Sequence, residues 1–110
     1  MKLYRGMSDV ELSDWVENER SIPKEKYFTC CPEEAIGLGK FYLRSGNLII
    51  LQVQADDYFT AFHNTDSKGA GYWYENKNKI SLDEIIFDIL TPKEAMAYNV
   101  PLSVGKGSHL

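Results

Sequence analysis

The clearest alternation of apolar and polar positions lies in the middle of the chain. From Leu48 to Ala55, the residues Ile49, Leu51, Val53 and Ala55 fall on one side, with Gln52 and Gln54 on the other. That period of two predicts a strand with one dry face and one partly wet face. Toward the N-terminus, Lys2 to Gly6 reads as a short strand, after which Leu12, Trp15 and Val16 recur at helical spacing. Ser8 and Glu11 form a Ser-x-x-Glu capping box that satisfies free N–H groups at a helix start, and this helix is expected to end near Glu19. Tyr27 to Cys30 is a second extended piece. Pro32 then suits the first position of a second helix, and Glu33 and Glu34 suit its positive end. That helix is expected to run to about Leu43. Gly37 and Gly39 weaken it and mark close approach to another backbone.

Ser45-Gly46-Asn47 reads as a turn, Tyr58 to Phe62 as an extended piece and His63 to Gly71 as a polar loop. Tyr72 to Glu75 predicts a short aromatic strand, followed by a turn at Asn76-Lys77-Asn78. Glu84 to Leu90 predicts a further strand, with Ile85, Phe87 and Ile89 on one face. Thr91-Pro92-Lys93-Glu94 repeats the helix-start pattern, for a last helix ending near Tyr98. Helices come early and strands dominate later. The fold class expected is α+β, with a predominantly antiparallel sheet. One domain over residues 1–102 is expected, with a flexible tail at 103–110 that is rich in Gly and Ser.

Composition narrows the class of function. A chain of 110 residues, 44% hydrophobic and 25% charged, is expected to form one soluble domain with an adequate core. No apolar run is long enough to cross a bilayer, and no basic stretch precedes an apolar one at the N-terminus. The expectation is a cytoplasmic protein with no membrane partner. A formal net charge of −4 without a basic block argues against non-specific nucleic-acid binding, yet leaves room for a nucleotide held by a few focused groups. Cys30 and Cys31 are adjacent and badly placed to bridge each other, so two reduced thiols are expected. No metal-ligand spacing occurs.

Three short segments carry candidate chemistry. In Tyr4-Arg5-Gly6, the guanidinium is a planar fork of donors that matches phosphate oxygens, and Gly6 permits close backbone approach. The competing reading is a surface arginine paired with Glu11 or Asp9. In Tyr27-Phe28-Thr29, the hydroxyl suits a ribose and the aromatic rings suit a flat ring. The simpler alternative is strand and core packing. In Asp83-Glu84, a carboxylate opening a buried strand can stabilise positive charge growing on a sugar ring, or can be a polar turn entry. His63, Glu75 and the acidic pair Asp56-Asp57 are weaker candidates.

In that order, an arginine, an alcohol and an acid, these segments resemble the ADP-ribosyltransferase superfamily. The resemblance spans about residues 2–95 and includes the helix that carries Glu34 and Ala35. It implies two small, mainly antiparallel sheets with N-terminal helices and a cleft for NAD between them. In that cleft Arg5, with Tyr4 and Gly6 beside it in the cofactor site, would bind the diphosphate or ribose, and Thr29 would orient the nicotinamide-side ribose. Tyr27 or another aromatic would stack on the nicotinamide, Phe28 would line the cofactor site, and Glu84 would be catalytic. The activity implied is transfer of ADP-ribose from NAD, as co-substrate, to a macromolecular acceptor, with a protein favoured over nucleic acid. A toxin or a phage or mobile-element effector is the setting inferred. Leu82 stands where arginine-modifying members carry an acid, and Phe28-Thr29-Cys30 replaces their Ser-Thr-Ser. The alternatives are a non-catalytic protein that masks a partner surface and an NAD-dependent RNA 2′-phosphotransferase.

Overall fold

The computed structural model describes residues 1–64 and 72–98, so the tail expected at 103–110 and most of the polar loop before Tyr72 lie outside the described residues. The chain opens with strand β1, Leu3–Ser8, and helix α1, Asp9–Ser13, which continues as a π-helical stretch over Asp14–Glu19. The expected cap is present, with the Ser8 hydroxyl accepting the Glu11 N–H at 3.0 Å. Arg20, in the left-handed region at φ 50°, ends the helical stretch where the sequence placed its end. Two short strands follow, β2 at Ser21–Ile22 and β3 at Tyr27–Phe28. Helix α2, Pro32–Tyr42, leads to β4, Leu48–Gln54. Then come β5, Phe59–His63; β6, Tyr72–Asn76; and β7, Ile80–Ser81. The last elements are β8, Ile86–Leu90, and helix α3, Pro92–Tyr98.

The architecture is α+β with small antiparallel sheets. β4 lies between β1 and β8, β6 lies between β3 and β5, and β2 pairs with β7. A bridge between Tyr4 and Thr29 joins the two three-stranded sheets, each backbone N–H donating to the other carbonyl at 2.7 and 2.9 Å. Through it the strands run β5-β6-β3-β1-β4-β8. Beyond Tyr4, β1 and β3 part, and that opening positions the site.

Two clusters cover the two faces of β4. Leu51 and Val53 pack with Leu3, Met7, Leu12, Trp15, Ile22 and Phe28 on one face. Ile50 packs with Tyr4, Ala35, Leu90 and Ala95 on the other. The wet face expected for Gln52 is therefore covered, because helices α2 and α3 close it. Gln52 is buried and donates to Asp88 on the neighbouring strand at 3.2 Å. Packing of α2 on β1 is backbone-close at one point. A Cβ on Gly6 would collide with the Ala35 carbonyl oxygen and stand 3.1 Å from Gly39 Cα. Gly39 thus marks the close approach its sequence position implied, whereas Gly37 has nothing within 4 Å of an added Cβ.

The late strand begins two residues later than expected. Leu82–Glu84 forms a 3-10 turn instead, started by the Ser81 hydroxyl accepting the Asp83 N–H at 3.3 Å. Leu82 is drawn into the core, and its N–H donates to the Arg20 carbonyl at 3.1 Å. β8 is an edge strand, which leaves Ile86 and Ile89 largely exposed.

Candidate functional site

The gap between β1 and β3 opens into a cavity of about 500 Å³. Residues of β1 and α2 line it, together with the aromatic rings of Tyr27 and Trp73. Six of the residues selected from the sequence line it: Tyr4, Arg5, Gly6, Tyr27, Phe28 and Thr29. The seventh, Glu84, does not. It lies with Arg20, Tyr58 and Lys79 in a separate recess of about 390 Å³ that shares no lining residue with the first. Its turn points it to solvent, and the neighbouring Asp83 is tied to Arg20 at 2.8 Å.

Arg5 sits at the joint of the sheets. Its Nη1 donates to the Tyr27 carbonyl at 3.1 Å, and Nη2 lies 3.8 Å from the Glu11 carboxylate. Its guanidinium carbon is 5.6 Å from the centre of the Trp15 ring, within cation–π range. The pairing with Glu11 that a plain surface arginine would make is therefore present, but the side chain is only partly exposed. Nε is buried and has no hydrogen-bond partner. Burial lowers the Arg5 pKa, and the negative charge of Glu11 acts against that shift. A part-buried cation with a buried, unused donor is a costly feature, and it leaves the guanidinium partly accessible from the cavity.

Thr29 is placed differently from its expected use. Its hydroxyl donates to the Glu34 carboxylate at 2.7 Å and accepts the Cys31 N–H at 3.2 Å. The alcohol is thus engaged in organising the first turn of α2. Glu34 also receives the Trp73 indole N–H at 3.4 Å, so Thr29 and Trp73 are tied to one carboxylate. Tyr27 packs against Trp73 and Phe62, with ring centres 5.9 and 5.6 Å apart, and is half exposed. Tyr4 is buried, which pushes its hydroxyl pKa up, with nearby Cys30 adding to the shift.

Three cavity features escaped the sequence reading. Glu11 was read only as a cap and ion-pair partner, yet it is the carboxylate that lines the cavity among the described residues. Trp73 lay in an aromatic run that reads as packing. Arg44 follows the expected end of α2, and nothing local marks it as lining the same cavity as Arg5.

Neither protein-family models, curated proteins nor solved structures match this chain.

Proposed function

We propose that this cavity binds NAD and that the protein transfers ADP-ribose from it to a macromolecular acceptor, with a protein favoured. The observation that carries the proposal is the convergence of Tyr4-Arg5-Gly6 and Tyr27-Phe28-Thr29 on one cavity at the parting of two antiparallel sheets. Strand register supports it. Tyr4 turns its N–H and C=O toward β3, so Gly6, two residues on, turns its own the same way. One donor and one acceptor side by side complement a carboxamide such as that of nicotinamide. Tyr27 and Trp73 offer ring faces beside it.

In the reaction, the bond between nicotinamide nitrogen and ribose C1′ breaks, and its electron pair leaves with the nicotinamide. The acceptor nucleophile bonds to C1′ and loses its proton. A carboxylate facing C1′ stabilises the positive charge that develops on the sugar. Glu11 takes this role in our reading, because Glu84 opens onto the other recess. Arg5 meets the inner phosphate.

The position of Glu84 gives weight to a second reading, a binding protein that holds NAD without turning it over. Isothermal titration with NAD and an assay of nicotinamide release, on the wild type, Glu11→Gln and Glu84→Gln, separate the readings. Transferase activity predicts release that falls about 10²-fold or more in Glu11→Gln and persists in Glu84→Gln. NAD binding without release, with or without lysate as acceptor, selects the binder. Absence of NAD binding ends both.

A further inference from the structure

Two guanidinium groups line the cavity against one carboxylate, so its local balance is positive although the chain carries a net −4. The two cations are not equivalent. Arg5 is largely committed to the Tyr27 carbonyl, Glu11 and the Trp15 ring. Arg44 is exposed, and its guanidinium makes no ion pair or side-chain hydrogen bond among the described residues. It lies just past the end of α2, where the helix dipole is negative. A cation there offsets the dipole for an incoming anion, and Arg44 supplies it.

The loop that carries Arg44 is held firmly. The Asp9 carboxylate accepts the Asn47 backbone N–H at 3.0 Å and the Asn47 side-chain amide at 3.2 Å. In return the Asp9 N–H donates to the Asn47 carbonyl at 2.9 Å. Gly46, at φ 80°, makes the turn, and an added Cβ would collide with Asp9 Oδ1. A free cation on a clamped loop is pre-organised at its base, which lowers the ordering cost of binding.

We propose that Arg44 is the second cation of a diphosphate clamp and makes the site select dinucleotides over mononucleotides. Arg5 meets the phosphate nearer the nicotinamide, and Arg44 meets the outer one. This inference rests on the reading of the cavity as an NAD site.

Titration of NAD, ADP-ribose and nicotinamide mononucleotide into the wild type, Arg44→Ala and Arg44→Lys tests it. The expected result for Arg44→Ala is a loss of about tenfold or more for NAD and ADP-ribose, as a charge-assisted phosphate contact disappears. Nicotinamide mononucleotide should stay within about twofold, and Arg44→Lys should fall between, since Lys keeps the charge without the fork. Thermal denaturation should be unchanged, because the side chain is exposed. NAD binding by the wild type that survives Arg44→Ala, or equal losses for NAD and the mononucleotide, overturns the clamp and leaves the NAD site standing. A wild type that binds none of the three ligands overturns both.

Discussion

Arg5 Nη1 reaches the Tyr27 carbonyl at 3.1 Å across the gap where β1 and β3 part, two residues along β3 from the Tyr4–Thr29 bridge. A side chain thus continues the join where the backbone ladder stops. Arg5→Lys tests this. A single ammonium lacks the fork that serves Tyr27 and Glu11 together. The expected loss is about 1–3 kcal/mol in urea-denaturation stability, typical of a broken hydrogen bond to a charged group. Amide exchange at Tyr4 and Thr29 should speed up more than exchange along β4. Uniform acceleration would show that Arg5 does not act at this joint.

Gly6 and Gly37 should respond in opposite directions to the same change. Gly6→Ala drives a methyl into the Ala35 carbonyl and against Gly39. Overpacking of this kind costs about 1–3 kcal/mol, and each kilocalorie lowers Tm by about 4–8 °C in a domain near this size. Gly37→Ala meets open space inside a helix and should stabilise by about 0.5–1 kcal/mol. Equal Tm values for the two variants would remove the argument that α2 rides directly on β1.

What was legible in the sequence was local. The Ser8–Glu11 cap and the Thr91–Glu94 box could be read because each donor lies three residues from its acceptor, and the latter closes in both directions at 2.8 and 3.1 Å. The two cavity triplets could be read because each packs its chemistry into three consecutive residues. Burial of Gln52 was not legible, since period two cannot tell a strand with one covered face from one with helices over the other. The strand start expected at Glu84 was not legible, because the apolar run after it hides where the strand begins. Leu82 is pulled into the core and converts the approach into a turn. The link of Glu34 to Trp73 and the place of Arg44 in the cavity wall depend on how distant segments fold together, which no window of residues contains.

Asn76 is fully buried and ties the turn after β6 to the segment leading into β3. Its side-chain amide donates to the Pro23 carbonyl at 2.7 Å and the Asn78 carbonyl at 3.0 Å, while Oδ1 accepts the Lys26 N–H at 2.8 Å. Its own carbonyl accepts the N–H of Glu25, which sits at φ 63°. The cavity wall at Tyr27 follows directly. Asn76→Ala strands buried donors and acceptors, each costing about 1–3 kcal/mol. The expected outcome is a marked drop in Tm, with Tyr27 resonances shifted in the NMR spectrum. A stability change under about 0.5 kcal/mol would mean that water replaces the amide at no cost.

The Asp9–Asn47 clasp gives a pH dependence. The Asp9 pKa is lowered, chiefly by the Asn47 backbone N–H and then by its side-chain amide. A carboxyl whose folded pKa lies below its unfolded value, roughly 3.9, stabilises the fold above that value. The stabilisation is lost as pH falls through the folded pKa. Asp9→Asn carries no titratable group at this position and should therefore remove part of the acid sensitivity below about pH 4. The check is the urea midpoint of wild type and variant from pH 7 to pH 2. The gap favouring wild type at neutral pH should close toward the acid end. Parallel curves throughout would show that the carboxylate charge contributes nothing to the clasp. In that case the Arg44 loop is held by the Asp9–Asn47 backbone bond and the Gly46 turn alone.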